Sequence, residues 1–200
     1  MKQNNFIILI GRSGSGKGTQ AEILKQFIID KTGIDTKHVT TGGGFREFIS
    51  NTDNYTAAMT KDIMNSGGLN PAFLAIWNWS NIFINNITGN ENIILDGAPR
   101  KAPEVFVLHS AIKFYNFKKP IVVYLDVSEG WARKRLTERG REDDKSVEEL
   151  DRKMQWFERD VLECIDWYKS DPRYDFVHVN GEQSVEEVRQ EIKSKIDKFL

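Results

Sequence analysis

The chain has 200 residues, enough for one ordinary domain with small inserted lobes, and it is 40% hydrophobic and 28% charged, which is a globular composition. A formal net charge of -1, from 28 basic and 29 acidic residues, argues against a general nucleic-acid or membrane-surface binder. A lone cysteine, Cys164, excludes an internal disulfide and a four-cysteine zinc site, and the longest apolar run, residues 6–10, is far below the ~20 residues that span a bilayer and too short for a signal h-region; a cytoplasmic monomer that binds neither nucleic acid nor membrane is expected.

Residues 6–10 (Phe-Ile-Ile-Leu-Ile) read as a strand buried on both faces. A glycine-rich turn follows, then a helical pattern with Ala21, Leu24, Phe27 and Ile28 on one face. Further strands are predicted over 37–40, 92–95, 121–125 and 176–179, with helical patterns between them. One helix carries Val147, Leu150, Met154, Phe157, Val161, Ile165 and Tyr168; another carries Val185, Val188, Ile192, Ile196 and Phe199. Both open with Ser-x-x-Glu, at Ser146/Glu149 and Ser184/Glu187, the pattern of a capping box. Strands alternating with helices predict an α/β fold of three layers, a parallel sheet of five strands covered on both faces. The whole chain, 1–200, reads as one domain, and two stretches without the core pattern, about 40–70 and about 138–145, read as inserted lobes.

The strongest chemical signal is Gly11-Arg12-Ser13-Gly14-Ser15-Gly16-Lys17-Gly18-Thr19, between a predicted strand and a predicted helix. That context is the one a phosphate-binding loop requires. Glycines let successive backbone N–H groups point at phosphate oxygens, with the helix N-terminus behind them. Lys17 supplies the full positive charge. A flexible glycine turn with a chance lysine is the alternative, and the flanking strand and helix argue against it. Gly18 stands where a Ser or Thr hydroxyl normally ligates magnesium, and Thr19 comes one place later. This departure weakens a switch-type GTPase reading, which depends on that hydroxyl.

Gly16-Lys17-Gly18-Thr19-Gln20 resembles the nucleoside monophosphate kinases, adenylate kinases above all, and later segments agree in order along the whole chain. Thr40-Thr41-Gly42-Gly43-Gly44-Phe45-Arg46 is similar to the family's Ser-Thr-Gly-Asp-x-Leu-Arg, and Gly67-Gly68-Leu69-Asn70-Pro71 to its Gly-x-Leu-Val-Pro. Leu95-Asp96-Gly97-Ala98-Pro99-Arg100 resembles Leu-Asp-Gly-Phe-Pro-Arg. Arg135, Arg139, Arg141, Asp143, Asp144 and Arg152 resemble the family's lid and its arginines, and Gln183 falls in the loop that passes the donor base.

The resemblance implies a short-lid adenylate kinase with Mg²⁺ as cofactor, transferring the ATP γ-phosphoryl group to AMP. It implies an ATP site of Gly14, Ser15, Gly16, Lys17, Gly18, Thr19, Arg135, Arg139 and Gln183. The AMP site it implies comprises Thr41, Gly42, Arg46, Gly68, Leu69, Asn70, Gly97, Arg100, Glu104, Arg141 and Arg152. Lys17, Arg100, Arg135, Arg139, Arg141 and Arg152 would act on the transferred group, and Asp96 would hold Mg²⁺ through water. The chemistry suits this arginine usage: planar guanidinium forks meet phosphate oxygens bidentately and stay charged. A phosphate nucleophile needs no general base, so a catalytic His or Cys is not required.

Other residues read as structural. Arg133 and Lys134 fit a solvated helix face, Trp77, Trp79 and Phe83 packing, and Cys164 an inert packed thiol. His38, His109 and His178 lack ligand-like spacing. Asp143-Asp144 reads equally as a turn or cap and as a lid-closing pair, and Asp126 as structural or near the donor site.

Three departures matter. Gly43 replaces the family's Asp, leaving three glycines at a predicted helix start, each costing about 0.5–1 kcal/mol against Ala, so a mobile acceptor lobe is expected. Only Gly140 separates Arg139 from Arg141, so the lid is very short. Glu104 stands where adenylate kinases carry a Gln that reads adenine; an ionised Glu only accepts, which suits the amino group of adenine or the N1–H and amino edge of guanine. A kinase for GMP, CMP or UMP, or an inactive nucleotide-binding regulator, are the alternatives.

Overall fold

The computed structural model describes residues 4–200, apart from the side chain of Glu142, so the first three residues of the expected 1–200 domain lie outside the described residues. Five strands, β1 (Phe6–Gly11), β2 (Thr36–Thr40), β3 (Asn92–Asp96), β4 (Ile121–Asp126) and β5 (Asp175–Asn180), form a parallel sheet in the order β2-β3-β1-β4-β5. This is the α/β architecture that the alternating pattern predicts. Central β1 is buried on both faces, which explains its unbroken apolar run.

Alternation along β1 divides the core in two. Ile7 and Leu9 pack against Leu24 and Ile28 of α1 (Lys17–Thr32) and Val188 and Ile192 of α9 (Val185–Ile196). Phe6, Ile8 and Ile10 face the other way, toward Trp79 and Phe83 of α4 (Ala72–Asn86) and Leu108 of α5 (Ala102–Phe114). The same layer holds Met154's helix α7 (Val147–Trp156) and its continuation α8 (Leu162–Ser170), through Trp156, Phe157 and Tyr168. Each large apolar side chain fully buried this way contributes about 1.5–3 kcal/mol. Both predicted capping boxes form, at Ser146/Glu149 and Ser184/Glu187.

Further elements stand at the C-terminal ends of the strands: α2 (Thr41–Asn51), α3 (Tyr55–Asn65), and α6 (Glu129–Arg139) with a 3-10 turn over Glu142–Asp144 after it. The first turn of α2 contains the three glycines. Asn78 of α4 donates to Thr41 O (2.8 Å), and a side chain at Gly44 would collide with the Asn78 carboxamide and Ile82. One of the three glycines therefore permits close approach of α4.

Two expectations are modified. The predicted continuous helix through 147–168 is wound as a π-helix over Phe157–Val161, where Arg12 packs against it. Trp79 and Phe83 are core residues, but Trp77 is partly exposed and rests edge-on against Phe48. Cys164 is buried, and burial pushes its thiol up to about 12. Among the described residues, no helix is long and apolar enough to cross a membrane.

Candidate active site

The C-terminal ends of β2 and β3, with the loops that follow β1 and β5, open onto a cleft of about 710 Å³. The order of the strands reverses about β1, and open α/β sheets bind ligands at such a switch point. The loop from Gly11 to Gly16 forms one end of the cleft. Gly14 has φ 86°, and a Cβ there would stand 2.6 Å from Ala132 O of α6, so glycine is needed both for the turn and for the contact. Gly16 caps α1 in the left-handed conformation without a side-chain cap bond. The first N–H groups of α1 are left for an anion, with the helix dipole aligned behind them.

Lys17 Nζ folds back onto Gly11 O and Arg12 O, each at 2.8 Å. Burial lowers its pKa from the usual 10.5 to about 8; Asp96 opposes the shift, while Arg100 and Arg139 add to it. Asp96, at the end of β3, is nearly buried. Burial disfavours its charge, but the facing His38 imidazole, Lys17 and Arg100 together hold its pKa below the ordinary value. His38 Nε2 lies 3.6 Å from Asp96 Oδ2 without a hydrogen bond, and its Nδ1 meets Glu22 Oε1 at 2.6 Å.

Arg46 of α2 and Arg100, just beyond β3, meet at the end of the cleft formed by α2 and the turn after β3. The Arg46 guanidinium lies by Gly42 and that of Arg100 by Gly97, while Thr41 Oγ1 donates to Gly97 O (2.8 Å). Arg100 also stacks on Trp156 at 5.3 Å. Burial, reinforced by Arg46, lowers the Arg100 pKa, and burial with Arg139 and Arg46 lowers that of Arg141. Among the described residues, Arg46, Arg100, Arg135 and Arg141 form no ion pair with a carboxylate, although all four line the cleft. Four guanidinium groups without an ion-pair partner on one cleft, three of them on exposed residues, suit an anionic ligand.

The turn after α6 is held from below. Arg139 donates to Asp144 Oδ2 through Nε (2.9 Å) and Nη2 (2.6 Å). Lys153 of α7 reaches Asp144 Oδ1 and Asp143 Oδ2, both at 2.6 Å, and the Asp144 side chain is 0% exposed. The acidic pair therefore ties the turn after α6 to α7.

The cleft brings together Gly14, Ser15, Gly16, Lys17, Gly18, Thr19, Thr41, Gly42, Arg46, Gly68, Leu69, Asn70, Asp96, Gly97, Arg100, Glu104, Arg135, Arg139, Arg141 and Gln183. It does not include Arg152. That side chain is exposed on α7 and donates to Ser66 O (2.7 Å), because the helix turns its neighbour Lys153 inward instead. Lys153 is the cleft cation that sequence reasoning missed, and its only sequence signal is adjacency to Arg152. Glu104 lines the cleft but also caps α5: its Oε1 accepts from Arg100 N (3.2 Å) and Lys101 N (3.1 Å). Burial raises the Glu104 pKa against those donors and the charges of Arg100 and Lys101. Asp126 is structural here, taking Tyr124 Oη at 2.7 Å and His178 Nε2 at 2.9 Å.

A parallel sheet, a glycine cradle on a helix N-terminus and a cation-lined cleft at the switch point define a phosphate-loop nucleotide-binding protein. The adenylate kinase family model matches residues 9–172. An adenylate kinase of Prochlorococcus marinus is 30% identical over 191 residues, covering 95% of this chain and 97% of the relative. An adenylate kinase of Bacteroides thetaiotaomicron is 28% identical over 196 residues, covering 96% and 98%, and adenylate kinase 1 of Nostoc is 29% identical over 190 residues, covering 95% and 97%. The chain belongs to the adenylate kinase family, and so to the nucleoside monophosphate kinases.

Proposed function

We propose that the protein transfers the γ-phosphoryl group of ATP to AMP, reversibly, giving two ADP. The observation that carries this reading is the convergence of Lys17 and four unpaired arginines on one cleft, with the phosphate loop at one end and Arg46 and Arg100 at the other. A nucleotide-binding regulator would need only the donor end.

In this reading the loop amides and Lys17 hold the donor β- and γ-phosphates, and Arg46 and Arg100 grip the acceptor phosphate. Arg135, Arg139 and Arg141 close over the moving group. Phosphoryl transfer passes through a state with charge spread over the equatorial oxygens, so fixed guanidinium groups stabilise it without proton transfer. The attacking oxygen is already an anion.

The site fits Mg²⁺. Asp96 is held ionised at the cleft floor, and Gly18 opposite it lacks a side chain: a Cβ there would stand 3.6 Å from Asp96 Oδ2, so glycine leaves that space clear. Mg²⁺ characteristically takes one or two carboxylates, substrate phosphates and waters, so Asp96 would hold it through water. When bound, the ion neutralises donor phosphate charge. In this reading the carboxylate of Asp96 orients the hydrated ion, and Lys17 aligns the phosphates beside it.

AMP is favoured as acceptor by the family, while Glu104 in place of Gln leaves GMP as a second reading. A coupled assay with ATP and each of AMP, GMP, CMP, UMP and dTMP tests both. ADP formation with AMP as the best acceptor is expected. No transfer to any monophosphate would overturn the enzyme reading, and transfer to GMP with little to AMP would overturn the acceptor assignment.

A further inference from the structure

Arg12 lies inside the phosphate loop, yet its side chain turns away from the cleft and is 11% exposed. Its Nε donates to Val127 O (3.3 Å), after β4; Nη1 contacts Met154 Sδ of α7 (4.0 Å); Nη2 pairs with Glu158 Oε1 (2.6 Å). The guanidinium stacks over the Phe157 ring at 4.1 Å. Phe157 and Glu158 open the π-wound turn, a geometry that is rare and concentrated at functional sites.

The backbone of the same residue holds the other end. Arg12 O accepts from Lys17 Nζ and from Ser15 N (3.1 Å). One residue thus links the lysine that faces the donor phosphates to the helix that follows the lid. That helix carries Lys153, one place before Met154, and Lys153 is tied through Asp144 to Arg139. The phosphate loop is therefore linked to Arg139 through Arg12, the backbone of α7 and the Lys153–Asp144 pair.

We propose that Arg12 is a positioning residue for the donor site, locking the phosphate loop to the π-wound turn behind the lid so that Lys17 and Arg139 keep their mutual placement. This rests on the kinase reading above. The pair is asymmetric: Arg12 is buried, whereas the Glu158 side chain is 52% exposed. An exposed carboxylate contributes little to stability, but its loss leaves a buried guanidinium under-compensated and free to shift the loop. Displacements of about 1 Å in a positioning group can cost up to ~10²-fold in rate.

The test is a double-mutant cycle on Arg12→Met, Glu158→Gln and the double variant, with ADP formation measured over both substrates and MgATP affinity by calorimetry. Arg12→Met should lower kcat/KM for ATP about tenfold or more and leave KM for AMP within about twofold, because Arg46 and Arg100 sit elsewhere. Glu158→Gln should give a smaller loss in the same direction with little change in melting temperature, and the double variant should be no worse than Arg12→Met. Arg12→Lys, which keeps the ion pair but loses the fork to Val127 O, should recover only part. Unchanged ATP parameters in Arg12→Met, a KM for AMP raised as much as the KM for ATP, or losses that multiply in the double variant would overturn the proposal. Should Arg12→Met fail to fold, Glu158→Gln alone decides, and normal ATP kinetics in that variant would refute the coupling. If the wild type makes no ADP, the kinase reading fails instead, and MgATP affinity across the same variants still decides the role of Arg12: weaker binding in Arg12→Met supports it and equal binding refutes it.

Discussion

Replacing Lys17 by Met removes one ammonium group from a place where the fold has prepared it. Nζ rests on two loop carbonyls at 2.8 Å, within the cleft that the loop lines. The other lysine of the cleft, Lys153, is committed to Asp143 and Asp144 and cannot substitute. Opposite unit charges 4 Å apart interact by ~4 kcal/mol at an effective dielectric of about 20. Loss of one preorganised contact to developing charge typically costs about 2.7–4 kcal/mol, or ~10²–10³ in kcat. The fold should survive, since burial already disfavours the Lys17 charge. The same lysine sets a pH limb. Its charge is present below about 8 in the free protein and is lost as pH rises through that value, so kcat/KM for ATP should fall above about pH 8. In Lys17→Met that limb should flatten. A coupled ADP-formation assay from pH 6 to 10, with circular dichroism to verify folding, measures both effects. A folded Lys17→Met enzyme with near-normal turnover, or one that keeps the alkaline limb, would refute the donor-site assignment.

Arg46→Ala and Arg100→Ala should raise KM for AMP more than KM for ATP in initial-rate kinetics; a rise for ATP alone would move these residues to the other substrate. Glu104→Gln keeps an oxygen to cap Arg100 N and Lys101 N and adds a donor, so AMP use should be preserved or improved. GMP use should fall by roughly 5- to 150-fold, the cost of ~1–3 kcal/mol for an unpaired polar edge, and a variant better with GMP than with AMP would contradict this. Lys153→Met strands the buried Asp144 carboxylate with Arg139 alone, a loss of ~3 kcal/mol that should lower the thermal midpoint by ~6–12 °C; an unchanged midpoint in calorimetry would show that the lid network carries no stability.

Much of this is legible in the sequence. The β1 run, the cradle from Gly11 to Thr19 and the two Ser-x-x-Glu caps are local signals: an apolar strand period, a turn chemistry and a start signal each act over a few residues, and each formed as read. The family resemblance also placed Arg46, Arg100, Arg135, Arg139 and Arg141 among the candidates, and the fold brings them to one cleft.

Tertiary packing decided the rest. Arg152 and Lys153 are neighbours, but successive residues on a helix point roughly 100° apart, so only the docking of α7 determines which enters the cleft. Arg12 looked like one more loop residue until Phe157 and Glu158, about 145 positions later, turned out to receive its guanidinium. Glu104 looked free to read a base, yet the start of α5 claims one of its oxygens. In each case sequence determines which chemical group is available. Its direction depends on elements that are distant in the chain and become neighbours only when the two faces of the sheet are covered.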